Sequence, residues 1–76
     1  MKKPFDLSAR LKALRAASGL TQEQFAARAD LDYKFYQSIE SGRQNMVRLF
    51  TIEKICSAYD IELWEFFCDA IPRIKK

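Results

Sequence analysis

The sequence predicts an all-α fold, a single domain of five short helices. Three observations predict it. Glycine and proline are scarce, two of each in 76 residues, so little in the chain would interrupt a helix. No run alternates polar and apolar residues as a half-buried strand does; apolar residues recur instead at intervals of three and four. Between Leu20 and Gly42, helix starts and stops follow one another closely enough to define two short helices on their own. A chain of this length can bury a core only if its helices pack efficiently, and its 49% hydrophobic fraction is ample for that.

The first helix is expected from Leu7 to Ser18, with Asp6 as its cap and Gly19 as its stop. Leu7, Leu11 and Leu14 form one buried stripe, and Arg15 lies beside it. Thr21 opens the second helix as N-cap, Gln24 is its capping-box partner, and Leu20 staples onto Phe25. Phe25, Ala26 and Ala29 face inward until the helix stops at Ala29-Asp30, where Asp tolerates the left-handed C-terminal position. Asp32 caps the next helix almost at once. With only Asp30 and Leu31 between stop and cap, the two helices must cross steeply, as in a helix-turn-helix.

The third helix, Tyr33 to about Ser41, divides into two arcs at about 100° per residue. Phe35, Tyr36 and Ile39 form the core side, and Tyr33, Lys34, Gln37, Ser38 and Ser41 form an outward row of hydrogen-bonding groups. Such a row is what reading the major groove of DNA requires, although a merely solvated face would look the same. Leu49, Ile52, Ile55, Cys56 and Tyr59 predict a fourth, core-completing helix, ended by Asp60. A fifth is expected from Ile61 to Cys68, with Leu63, Trp64, Phe66 and Phe67 in five consecutive positions. That exceeds what one face can bury. A monomer is expected to cover three of the four, leaving the rest, with Ile71 or Ile74, for a partner, unless Trp64 wraps against the first helix. Pro72 ends the helical part, so the ordered core is placed at about 6–71 and a basic tail at 72–76.

Composition excludes several functions. There is no histidine, and Cys56 and Cys68 lie inside apolar helical patterns, so both read as buried thiols and no metal site is expected. General-base chemistry, a phosphate-cradling glycine loop and a set-apart carboxylate pair are all lacking, so no enzyme, cofactor or small-molecule ligand is expected. No stretch approaches the ~18 continuous apolar residues of a membrane span, and Met1-Lys2-Lys3 leads into Pro4 and Asp6 instead of an apolar signal core. A soluble, cytoplasmic protein is expected. The net charge is +3, and residues 1–48 hold nine cations against five acids while residues 49–76 hold four against five. The basic excess lies with the helix-turn-helix half, where a phosphate backbone would run.

The segment LTQEQFAARADLDYKFYQSIESG resembles the helix-turn-helix of the lambda repressor and Cro (Xre-like) family of DNA-binding regulators, in its opening Leu-Thr-Gln-Glu, its core positions and its Glu-x-Gly exit. The similarity extends upstream to Leu11 and downstream through Asn45 and Leu49 to Phe67. Three positions depart from the pattern: Asp30 stands where Gly is usual, Tyr36 where a smaller aliphatic is common, and Met46 where Pro often follows Asn. The resemblance implies a compact five-helix lambda-repressor-like domain and a structural ion pair between Arg15 and Glu40. It also implies base reading by Tyr33, Lys34 and Ser38, and a phosphate contact from Gln22, which would brace the third helix as well; Gln37 lies close by the reading positions and could reach adenine. Thr21 at the same helix start, and Ser41, Arg43, Gln44, Asn45 and Arg48 in the polar loop, are further phosphate candidates. Arg28 is expected to face solvent. Relatives of this kind often pair through their last helix, which points to Trp64, Phe67 and Ile71 as a homodimer interface. The implied function is sequence-specific binding of double-stranded DNA by a homodimeric transcriptional regulator on a palindromic operator. The alternative is a protein-binding module, antitoxin-like or an anti-repressor partner, with the third helix idle on DNA.

Overall fold

Residues 5–68 are described in the computed structural model, and five helices follow one another through them. They are α1 (Leu7–Ser18), α2 (Gln22–Arg28), α3 (Tyr33–Glu40), α4 (Leu49–Ala58) and α5 (Leu63–Phe66). The three N-terminal helices are capped by side chains written into the sequence. Asp6 accepts from the Ala9 amide at 3.0 Å and Asp32 from the Phe35 amide at 3.0 Å. Thr21 and Gln24 form a complete capping box, with bonds of 3.1 and 3.0 Å.

Both aspartates that replace a C-terminal glycine take left-handed backbone conformations, Asp30 at φ 57° and Asp60 at φ 54°. Each completes the same double closure of a helix end. Asp30 and Leu31 donate to the carbonyls of Ala27 and Ala26 at 3.0 and 2.9 Å; Asp60 and Ile61 donate to those of Ser57 and Cys56 at 3.3 and 3.0 Å. Two of the carbonyls in the last turn of α2 and two in that of α4 are thereby satisfied, and the chain reverses within two residues. α3 closes in a wider turn: Ser41 ends it, Gly42 at φ 85°, where a Cβ would be strained, donates to the Ile39 carbonyl at 3.1 Å, and the Gln44 amide to that of Ser38 at 3.0 Å.

Among the described residues thirteen apolar ones make the core, from Leu11 and Leu14 on α1 through Phe25, Ala26 and Ala29, Tyr36 and Ile39, and Ile52, Ile55 and Cys56, to Tyr59, Ile61 and Phe66. Its centre is aromatic. Phe25 stacks on Tyr59 with ring centroids 4.3 Å apart and meets Tyr36 at 5.2 Å, and the Tyr59 hydroxyl donates to the Phe25 carbonyl at 2.9 Å. α3 packs on both α1 and α2, which fixes its direction, and α5 packs on α4. The α2–α3 turn is held from α4 by Lys54, whose ammonium donates to the Asp30 carbonyl at 2.9 Å.

Four expectations need correction. Cys56 is buried as expected, but Cys68, read as a buried thiol, is only half-buried because it lies past the end of the fifth helix. The fifth helix is one turn, Leu63–Phe66, and not the whole of Ile61–Cys68; Ile61 belongs to the closure of α4 and Glu62 is the cap. Leu49 is on the correct face by periodicity, but it sits on the first turn of α4 beyond the edge of the core and is 57% exposed. Of the four apolar residues Leu63, Trp64, Phe66 and Phe67 only Phe66 is buried, where three were expected; the other three remain exposed. Trp64 does not wrap against α1. Phe5 meets the neighbours of Trp64, with ring centroids 6.1 Å from Phe66 and 4.9 Å from Phe67. Ile71, Ile74, Pro72 and the basic tail lie outside the described residues. Among the described residues no helix is long and apolar enough to cross a membrane.

Candidate nucleic-acid interface

The site is built on the carboxylate of Glu40, the last residue of α3. Glu40 is 2% exposed. A buried carboxylate is tolerated only when charge and hydrogen bonds compensate for lost water. Arg15 on α1 supplies both, with Nη2 at 2.8 Å from Oε1 and Nε at 3.0 Å from Oε2, while its Nη1 donates to the Leu20 carbonyl at 3.2 Å. Gln22 on α2 adds a bond from Nε2 to Oε1 at 3.2 Å, and Ser8 on α1 donates to the Glu40 carbonyl. The end of α3 is thus tied to α1, to α2 and to the segment between them.

Burial pushes the Glu40 carboxyl up, but the Arg15 guanidinium, with the nearby Tyr36 hydroxyl and the Gln22 amide, outweighs it and holds the group below the usual carboxylate range. The hydrogen bond to Glu40 raises Arg15 in turn. Tyr36 is buried beside this cluster, its hydroxyl forming no hydrogen bond of normal geometry, and burial raises its pKa.

With its inner face fixed, α3 turns Tyr33, Lys34, Gln37 and Ser38 outward. Tyr33 and Lys34 are exposed; Gln37 and Ser38 are half-buried. Gln37 Nε2 lies 3.4 Å from the Tyr33 hydroxyl. The Ser38 hydroxyl proton is engaged by the Phe35 carbonyl at 2.7 Å, and that of Ser41 by the Ser38 carbonyl at 3.0 Å. Beyond the helix, Arg43 Nε donates to Ser41 Oγ at 3.1 Å, which lays the guanidinium back toward the end of α3. Gln44 shapes the loop. Its amide donates to the Ser38 carbonyl and its Oε1 accepts from the Met46 amide, both at 3.0 Å. Asn45 and Arg48 are exposed, and Arg48 occupies the N-cap of α4 without a side-chain cap. Asn45 and Arg48, with Met46 and Val47, line a groove that leads up to this uncapped helix start.

On α2, Thr21 is exposed with its oxygen accepting from Gln24, which leaves its proton available to donate. Gln22 is half-buried at the first position of the helix. Arg28 is exposed, yet its guanidinium lies 4.7 Å from the Tyr59 ring centroid and so covers the core edge as well as facing solvent. Leu63 and Trp64 on α5 and Phe67 just after it are exposed, as is Phe5, whose ring lies against that of Phe67.

Sequence reasoning missed two features. The Lys54 bond to the α2–α3 turn depends on how α4 docks and leaves no trace in local pattern. A second exposed apolar group, Met46, Leu49 and Phe50, lies at the start of α4 next to the loop. Its signal was present in the three apolar residues within five positions, but one face cannot bury both Leu49 and Phe50.

Comparison with known proteins places these features in a wider group. Residues 6–63 match the family model of the helix-turn-helix domain. The chain is 48% identical over 61 residues to a protein described as control protein C.MunI, from a Mycoplasma species, across 79% of this chain and 81% of that protein. No solved structure matches.

Proposed function

The chain belongs to the helix-turn-helix family of lambda repressor and Cro type, and from that premise we propose that it is a single-domain, sequence-specific DNA-binding regulator of transcription, acting inside the cell as a homodimer on a palindromic site. One observation carries the proposal: α3 is anchored at its C-terminal end by buried Glu40 while Tyr33, Lys34, Gln37 and Ser38 face away from the core. A rigid helix with an outward polar row is the device that enters a major groove. The relative described as a control protein supports a regulatory role.

In this reading the base edges are met by Tyr33, Lys34, Gln37 and Ser38. Thr21, Gln22, Arg43, Asn45 and Arg48, with the uncapped start of α4, meet phosphates on either side, while Ser41 and Gln44 set the loop that presents them. Leu63, Trp64 and Phe67, exposed in one chain, would be covered by a second copy, so that two α3 helices reach successive major grooves about 34 Å apart. The same exposed aromatics would suit a protein-binding module, and salt dependence separates the two readings.

The test is a titration of the purified chain against duplexes selected from a random pool, repeated from low to high salt. Enrichment of an inverted repeat, with log affinity falling in proportion to log salt, is the expected result. A chain that enriches no duplex at low salt has another role.

A further inference from the structure

Resting on the DNA reading above, we infer that Tyr33 and Gln37 act in the major groove as one reading unit whose preferred target is adenine. The outward row of α3 holds four polar side chains at the groove, but their hydrogen-bonding capacity is unequal. Ser38 has its proton engaged by the Phe35 carbonyl at 2.7 Å, which leaves it able only to accept. Lys34 is a cation on a long, flexible stem, suited to attraction more than to fixed geometry. Tyr33 and Gln37 differ from both. They stand four residues apart, hence side by side on the helix, with Gln37 Nε2 at 3.4 Å from the Tyr33 oxygen.

That contact sets which groups the pair presents. When the Gln37 amide nitrogen faces the Tyr33 oxygen, the tyrosine proton points away as a donor and the Gln37 carbonyl oxygen is the adjacent acceptor. Adenine offers the complement on its major-groove edge, an acceptor at N7 beside a donor at N6. Guanine offers two acceptors, N7 and O6, so the Gln37 oxygen would face another oxygen. Cytosine has only a donor there, and thymine an acceptor and a methyl group. The contact also holds the long glutamine side chain before DNA arrives, so less rotamer freedom is lost on binding. Tyr33 is therefore both a reader and the positioning residue for Gln37.

The experiment uses the full chain and its Tyr33→Phe, Gln37→Ala and doubly substituted forms, each selecting from a random duplex pool, with thermal melts run alongside. Wild type should enrich adenine at one position of each half-site. Each single variant should lose about tenfold in preference at that position alone, and the double variant should lose no more than either. Melts within a degree or two of wild type would show that the loss comes from recognition. An adenine preference that survives Tyr33→Phe, or losses that multiply in the double variant, would overturn the coupling while leaving DNA binding intact. A wild-type chain that enriches no duplex at all would remove the coupling and the DNA reading together.

Discussion

Arg15 grips Glu40 by two different nitrogens, Nε and Nη2, at 3.0 and 2.8 Å, and so joins the first helix to the last residue of α3. The two partners are unequally covered, with side-chain exposures of 29% for Arg15 and 2% for Glu40. Removing the arginine strands a buried carboxylate, whereas removing the carboxylate leaves a guanidinium that can reach water. Arg15→Ala should therefore cost about 3 kcal/mol in urea unfolding, and Arg15→Met with Glu40→Gln distinctly less than the two single changes added together. A cost under about 1 kcal/mol for Arg15→Ala would place the pair with ordinary surface ion pairs.

The same pair sets an acid limit. Glu40 titrates below its unfolded value of 4.5 in the folded chain, so its contribution is fully present above that value and is lost as pH falls through the lower, folded one. Wild type should lose stability on acidification below about pH 4.5 more steeply than Glu40→Gln, as followed by helical circular dichroism in urea. At the alkaline end the sign is reversed for Tyr59, which burial pushes up to about 12. Its contribution is present below pH 10 and declines as pH rises toward 12. Parallel acid limbs for wild type and Glu40→Gln would dismiss Glu40 as the source.

Asp30 holds a left-handed backbone, φ 57°, that glycine adopts without a Cβ penalty. Its carboxylate is 97% exposed and 3.7 Å from Lys54, so little is lost with it, and the Lys54 bond to the backbone carbonyl survives substitution. Asp30→Gly should stabilise the chain by about 0.5 kcal/mol, a rise of a few degrees in Tm. A fall in Tm would show that the exposed ion pair outweighs the relieved strain.

Lys34 and Arg43 should differ in kind. Lys34→Ala removes a side chain from the outward row of α3 and should alter which half-site is preferred. Arg43→Ala removes a cation from the loop and should weaken all duplexes alike, reducing the slope of log affinity against log salt by about one. Anisotropy titrations on a preferred and a scrambled duplex at several salt concentrations distinguish them. Equal effects of both variants on both duplexes would remove the division between reading and positioning.

Trp64 is 69% exposed, so Trp64→Lys should leave the folded monomer's melting curve nearly unchanged. It should shift the sedimenting species from dimer to monomer and weaken binding to an inverted repeat much more than to a single half-site. A dimer that survives both Trp64→Lys and Phe67→Lys would place the homodimer interface elsewhere, with Met46, Leu49 and Phe50 the next exposed apolar group.

The sequence by itself determined the features that depend on neighbours in the chain. Asp6, Thr21 with Gln24, and Asp32 cap their helices because a side chain reaches an amide three residues on, and Asp30 and Asp60 close theirs because few residues accept that backbone. These local rules fixed the steep α2–α3 turn and the outward row of α3, and with them the family. Tertiary structure alone decided what depends on how far the core reaches. Leu49 obeys the periodicity of α4 but stands past the core's edge, and Trp64 remains in solvent because α5 is a single turn with Phe5 lying across its neighbours. The Lys54 bond to Asp30 was equally out of reach, since it joins residues 24 apart through the docking of two helices. Periodicity specifies a direction from the helix axis, and only packing specifies whether anything lies in that direction.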